Sequence, residues 1–179
     1  MPTLIRSSVA SDIPRLTAIY AHHVEHGSGS FELVAPDAPE MARRRMAVLE
    51  NQLPYLVAEV DGVVMGYAYA NLFRPRPAYR FLVENSVYID HQASRSGLGR
   101  ALMAEVIQRC EATGARQMIA VIGDSANQGS IRLHQSLGFE HVGLIRSSGW
   151  KHERWLDTVM MQRALGLGDL TTPTTHQSP

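Results

Sequence analysis

The stretch "SRSGLGRALM", residues 94–103, decides the fold. Before it runs "FLVENSVYID", rich in β-formers, and after it the apolar-periodic run "GRALMAEVIQRCEATGA". The pattern predicts a strand, a turn built on Gly97 and Gly99, and a helix over Gly99–Thr113. Such a turn leaves the first backbone N–H groups of the helix without partners, and the helix dipole favours an anion there. A glycine pair also serves a plain strand-to-helix connection, so the surroundings must decide. A nucleotide-triphosphatase loop needs Lys after its last glycine, and Arg100 follows Gly99. A dinucleotide fingerprint wants a small residue where Leu102 stands, and an early βαβ unit, whereas this turn comes halfway along the chain.

Working outward, "TLIRSS" reads as a short strand, and Ser11 and Asp12 precede a helical pattern through Leu16, Ile19, Tyr20 and Val24. A second helix covers "APEMARRRMAVLENQL", with Arg43 to Arg45 expected on a solvated face. "YLVAEV", the Asp61-Gly62 turn and "VVMGYAYANL" form a hairpin, and the prolines of "FRPRPAYR" make a loop. "RQMIAVI" is a strand, "NQGSIRLHQSLGF" a short helix ending at Gly138, and two closing strands surround "SGWKHERWLD". The order β-α-α-β-β-β-α-β-α-β-β predicts an α/β fold of the α+β type, a mixed and mostly antiparallel sheet flanked by helices.

A chain of 179 residues buries one core, so residues 1–165 read as a single domain, and the polar, turn-rich tail 166–179 is expected to be disordered. Lys and Arg together number 17, as do Asp and Glu, so no basic or acidic footprint points to nucleic acid or a membrane surface. Cys110 is the only cysteine, which excludes an internal disulfide framework and a cysteine-rich zinc site. The start lacks the apolar core of a signal peptide, and a cytoplasmic protein is expected.

Taken together, these segments resemble the GNAT superfamily of acyl-CoA-dependent N-acetyltransferases. "SRSGLGRALM" is similar to its pyrophosphate loop and "NQGSIRLHQSLGF" to its second signature, in the right order with one helix and one strand between. "SFE", "YLVAEVDGVVMGYAY", "VENSVYID" and "GWKHERWLD" resemble the phosphinothricin and methionine sulfoximine acetyltransferase group within it, over roughly residues 3 to 164. Ser94 departs from the usual Arg or Gln. His134 stands where many members carry Tyr, whereas this group often has His there.

The resemblance implies the GNAT fold, acetyl-CoA as cosubstrate, a homodimer, and acetylation of the α-amine of a small amino-acid-like compound. It implies that Val87, Tyr88 and Ile89 pair with the pantetheine arm, that Arg95, Ser96, Gly97, Leu98, Gly99 and Arg100 take the pyrophosphate, and that Asn127 reaches the pantetheine region. An amide-rich arm can indeed add to an open strand edge through main-chain hydrogen bonds. Acetyl transfer needs a base for the amine, donors for the developing oxyanion and a proton for the departing thiolate. Glu84, in the apolar setting "LVENSV", and His134 are the catalytic candidates, with a backbone N–H near Val87 as oxyanion donor. By pattern alone Glu84 reads as a solvent-facing strand residue and His134 as a helix-surface or satisfied core histidine; family position favours function for Glu84. Phe31, Glu32, Arg74, Arg76 and Glu84 match acceptor-pocket segments, with Tyr79 closing the pocket. An arginine can clamp a carboxylate in a bidentate way.

Two other classes remain in view. "HHVEH", residues 22–26, fits the His-x-x-Glu-His pattern of inverted zinc peptidases, and two histidines four apart share a helix face. No third ligand follows, and an exposed polar helix face accounts for it; no metal is expected. A CoA-binding regulator without turnover, or an acetyltransferase for another amine or a peptide N-terminus, is the other alternative.

Overall fold

Alternation along "LVENSVYI" divides the molecule into two layers. In this strand Val83, Asn85, Val87 and Ile89 face one way, and Glu84, Ser86 and Tyr88 the other. The computed structural model describes residues 3–94 and 96–173. Its elements are β1 (Thr3–Ser7), α1 (Ile13–His26), α2 (Ala38–Glu50), β2 (Tyr55–Val60), β3 (Val63–Leu72), β4 (Leu82–Ile89), α3 (Leu98–Ala112), β5 (Gln117–Gly123), α4 (Gln128–Ser136), β6 (Glu140–Lys151) and β7 (Arg154–Ala164). This is the order expected from the sequence, and the α/β layering is as expected too.

The described strands form one seven-stranded sheet in the order β1-β2-β3-β4-β5-β7-β6. All neighbours are antiparallel except β4 and β5, which run parallel. Tyr88 packs edge-on against Tyr20 of α1 at 4.8 Å, so the even face of β4 carries α1 and, beside it, α2. Asn85 meets His134 of α4, and Ile89 lies against Gly99 of α3, so the odd face carries α3 and α4. Helix α3 buries Leu98, Leu102, Met103, Val106, Ile107 and Cys110, a helical spacing that seats it on β3 and β4. Burial pushes the Cys110 thiol up to about 12, which makes it a core residue and no nucleophile.

Two details differ from the sequence reading. The last hairpin reaches further into "GWKHERW" than expected, turning only at His152-Glu153, where both residues have positive φ (50° and 57°). No Gly or Asn marks this turn; the cross-strand pair Trp150–Trp155, at 5.2 Å, sits next to it and sets the register. Arg44 and Arg45 are not a solvated face. Arg44 reaches Glu32 at 2.6 Å, and Arg45 donates to the Ser8 hydroxyl at 2.7 Å and the Ser8 carbonyl at 2.6 Å, tying α2 to the chain after β1. The start of the tail carries turns over residues 166–169, where Arg116 donates to the Gly168 carbonyl at 2.7 Å and, further on, to the Thr171 carbonyl at 2.6 Å. Residues 174–179 of the tail expected to be disordered lie outside the described residues.

One packing feature positions the site. The segment after α1 crosses the end of the sheet, with Phe31 laid over Gly149 of β6 and Gly123 of β5. A Cβ at Gly149 would stand 2.5 Å from Phe31 Cε2, and one at Gly123 would stand 2.9 Å from Cε1. Gly149→Val should therefore expel the ring and lower stability by about 1–3 kcal/mol, the usual scale of overpacking, read as a lower urea midpoint.

Candidate active site

The hydrogen-bond parity of β4 creates the site. Asp90 N–H donates to the Met65 carbonyl at 2.8 Å, and Phe73 N–H to the Leu82 carbonyl at 3.2 Å. Both bonds lie in the β3–β4 register, so the even residues of β4 pair with β3 and the odd ones turn their N–H and C=O toward β5. Strand β5 answers only Leu82–Asn85, through Gln117–Ala120, and then the strands part. The backbone groups of Val87 and Ile89 consequently face an open wedge. The Ile89 carbonyl accepts from His23 Nε2 at 2.8 Å, so Val87 N–H, Val87 C=O and Ile89 N–H are the groups turned toward the gap for a ligand. Tyr88 borders the same cavity, yet its own amide and carbonyl are on the β3 side, a correction to its expected pairing with a pantetheine arm.

Across the wedge stand the starts of α3 and α4. Gly97, at φ +83°, is the N-cap of α3 and offers no side chain to cap it. The first helical bond runs from Ala101 N–H to the Gly97 carbonyl at 3.1 Å, so the amides of Leu98, Gly99 and Arg100 have no acceptor within the helix. Helices α2 and α4 begin differently, with Asp37 and Asn127 side chains accepting from Glu40 N–H and Ser130 N–H. An uncapped, glycine-entered helix start beside an open strand edge has the local geometry that favours an anion. The cavity between these parts measures about 690 Å³. Val87, Tyr88, Ile89, Ser96, Gly97, Leu98, Gly99, Arg100, Asn127 and His134 all line it. Arg95 lies outside the described residues.

The proposed acceptor residues are not in that wall. Glu84 lies on the opposite face of β4, where burial pushes its carboxyl pKa up and nearby Arg74 pulls it back. Arg74 and Arg76 are on the exposed loop between β3 and β4, Arg74 over the Phe73 ring at 5.1 Å and Tyr79 edge-on to the same ring at 6.1 Å. Glu32 is engaged by Arg44, and Phe31 fills the glycine slot. The backbone of Ser28 and Gly29, just before them, does line the cavity. Lys151 holds this segment by donating to the Ser30 carbonyl at 2.7 Å, and burial lowers its pKa although Glu32 raises it.

His134 is 2 % exposed. Its Nδ1 lies 2.8 Å from the Ser130 carbonyl and its Nε2 2.9 Å from Asn85 Oδ1, so both ring nitrogens have protein partners. Burial lowers its pKa, and the Ser130 carbonyl raises it in part. The sequence reading missed Asn85 and Ser130. A polar residue on the face shared with Val83 and Val87 was the available signal for Asn85. It also missed His23, whose motif does something other than ligate: His22 stacks on His26 at 4.6 Å and on His91 at 4.2 Å, and no set of metal-holding groups occurs among the described residues.

Comparison with known proteins decides the family. The family model described as an acetyltransferase (GNAT) domain matches residues 5–160. The chain belongs to the GNAT acetyltransferase family. It is 54% identical over 162 residues to a phosphinothricin N-acetyltransferase of Alcaligenes faecalis, spanning 90% of this chain and 82% of that protein. It is 38% identical over 165 residues to an L-methionine sulfoximine/L-methionine sulfone acetyltransferase of Salmonella typhimurium, spanning 90% and 94%. Among solved structures, a GNAT phosphinothricin acetyltransferase from Sinorhizobium meliloti in complex with AcCoA superposes with a TM-score of 0.95 at 48% identity, covering 98% of this chain and 95% of that one. The GNAT fold and acetyltransferase class expected from the sequence are therefore established, and neither the zinc peptidase nor the regulator without turnover is retained.

The two glycines of the loop should respond differently. Gly97→Ala forces a side chain into the left-handed region and should lower stability by roughly 1–2 kcal/mol. Gly99→Ala, whose Cβ would meet Leu133 Cδ2 at 3.4 Å, should lose less. Denaturant titration of the two variants checks the order.

Proposed function

We propose that this chain transfers the acetyl group of acetyl-CoA to the α-amine of a small amino-acid-like compound of the phosphinothricin, methionine sulfoximine or methionine sulfone type. The observation that carries the proposal is the open edge of β4 facing the uncapped start of α3, in a chain so similar to acetyltransferases of those compounds. The residues fit the cosubstrate: amide-pairing groups at Val87 and Ile89, then an anion cradle at Ser96 to Arg100, with Arg95 in the same run.

Bound acetyl-CoA supplies an activated acetyl thioester. In the proposal Val87 and Ile89 hold its amide arm, Tyr88 and Asn127 border it, and Ser96, Gly97, Leu98, Gly99 and Arg100 take its pyrophosphate. Val87 N–H faces the developing oxyanion. Glu84 accepts the amine proton, directly or through one water. A raised carboxyl pKa makes it a stronger base, ionised above that pKa and idle below it. Arg74 and Arg76 take the acceptor's carboxylate, with Phe31 and Glu32 shaping the far wall. His134 holds the proton needed as the thiol is restored.

A homodimer belongs to the same proposal. β6 is the outer strand and exposes Val142, Leu144, Ile145 and Trp150, with Trp155 beside it on β7, an apolar edge suited to a second copy. The proposed location is cytoplasmic, where acetyl-CoA is an ordinary metabolite.

Glu84→Gln should bind acetyl-CoA normally and lose roughly a hundredfold or more in kcat, the scale of general-base catalysis, with partial recovery at high pH. Arg74→Ala removes the charge that holds the Glu84 pKa down, so the acidic limb of its kcat/KM profile should move to higher pH than in wild type. It should also raise KM for a carboxylate-bearing amine by about ten- to a hundredfold, through loss of a charge-assisted pair. An acidic limb that stays put in Arg74→Ala and survives in Glu84→Gln assigns the base to another group.

A further inference from the structure

The vertex of the wedge contains a buried polar chain in which acetyl transfer as described above uses His134 but leaves its partners Asn85 and Ser130 without a role. Asn85, 6 % exposed, is the last residue of β4 paired with β5. Its Nδ2 donates to the Ile119 carbonyl of β5 at 3.2 Å. A carbonyl oxygen can only accept, so this bond fixes the amide orientation and turns Oδ1 toward His134 Nε2. Oδ1 only accepts, so the Asn85 bond forms when Nε2 carries the proton. On the other side of the ring, Nδ1 faces Ser130, with the carbonyl at 2.8 Å and the hydroxyl at 3.4 Å. Phe139 packs edge-on against the ring at 5.0 Å and carries no charge. Ser130 and His134 both line the cavity.

Nε2 faces an oxygen that only accepts, whereas Nδ1 faces Ser130, which offers a carbonyl acceptor and a hydroxyl able to donate, so the two ring nitrogens are not equivalent. In the neutral ring Nε2–H donates to Asn85 and Nδ1 accepts from the Ser130 hydroxyl. In the charged ring Nδ1–H donates to the Ser130 carbonyl and the Asn85 bond is unchanged. We propose that Asn85 is a positioning residue: it keeps the proton on His134 Nε2 and makes Nδ1, beside Ser130 at the cavity wall, the nitrogen where the ring takes up and releases its proton. The inference rests on the acetyltransferase reading of this site. It explains how a histidine with both nitrogens engaged can still exchange a proton with the cavity, since only the Nδ1 bond changes partner.

Removal of the Asn85 acceptor reverses the preference. The Ser130 carbonyl is then the one strong acceptor on the ring, and the neutral tautomer becomes Nδ1–H. The test is nitrogen NMR of histidine-labelled protein without cosubstrate at pH 8, where burial keeps His134 neutral. Wild type and Asn85→Asp should show His134 protonated on Nε2, and Asn85→Leu should show the proton on Nδ1. In assays, Asn85→Leu should lower kcat about 10- to 100-fold, the usual range for loss of a residue that orients another, with KM for acetyl-CoA changed by less than about threefold. His134→Leu and the double variant Asn85→Leu/His134→Leu should match each other in kcat, because the two residues act as one unit. Asn85→Val, which also lacks an acceptor, replaces Asn85→Leu if the latter fails to fold, and predicts the same tautomer change. An Nδ1-protonated wild type, an unchanged tautomer in the variant, or a kcat within about twofold of wild type would each overturn the proposal. Failure of the acetyltransferase reading is separately visible, as absence of thiol release from acetyl-CoA by the wild-type protein over a panel of amino-acid analogues.

Discussion

The parallel pairing of β4 with β5 ends at Asn85 and Ala120, while both strands continue, to Ile89 and Gly123. That divergence is the constraint the rest of the molecule obeys. Buried main-chain groups need partners, and a strand edge left open inside a fold is a standing demand for something that can pair with it. The two helices that could have closed the gap instead present their starts to it. One is uncapped and entered through a left-handed glycine; the other is capped by its own Asn127. The wedge and the helix start thus offer backbone N–H and C=O groups, and in the proposed function these serve the cosubstrate's amide arm and phosphates.

Strand alternation then separates the chemistry. Residues one apart on β4 belong to different compartments: Glu84 to the face of α1 and α2, Asn85 to the face of α4. The carboxyl whose pKa is raised by burial and the histidine whose pKa is lowered by it stand on opposite sides of one strand. The sheet keeps these two groups apart, and the strand between them turns Val87 N–H toward the open wedge.

The segment between α1 and α2 gives this arrangement its fourth wall. Its route is fixed far from the wedge, by Phe31 over Gly149, by Lys151 on the Ser30 carbonyl, by Tyr20 sharing a hydrogen bond of 2.9 Å with Ser30, and by Arg44 on Glu32. These contacts bring the Ser28–Gly29 backbone to the cavity, and they occupy two of the side chains expected to touch an acceptor. The histidines at the end of α1 serve the same framework. His23 closes the last carbonyl of the open edge, and the His22–His26–His91 stack joins α1 to the turn that follows β4.

Much of this was legible in the chain by itself. Local rules act over a few residues, so the element order, the Asp61-Gly62 hairpin, the glycine entry to α3 and the Gly138 helix stop could be read directly. The two signatures, spaced by one helix and one strand, were enough to indicate the GNAT family. What local rules cannot carry is partnership between distant residues. Whether Arg44 and Arg45 meet water or Glu32 and Ser8 depends on how α2 lies against residues far from it in sequence. The His152-Glu153 turn is imposed by the strands it joins. That Tyr88 spends its backbone on β3 while Val87 does not follows from sheet register, and that His134 has no idle nitrogen follows from where β4 crosses α4. Sequence determined which elements form and which chemistry they could hold; tertiary structure decided which face, edge and partner each group received, because those are set by contacts between residues 12 to 121 positions apart.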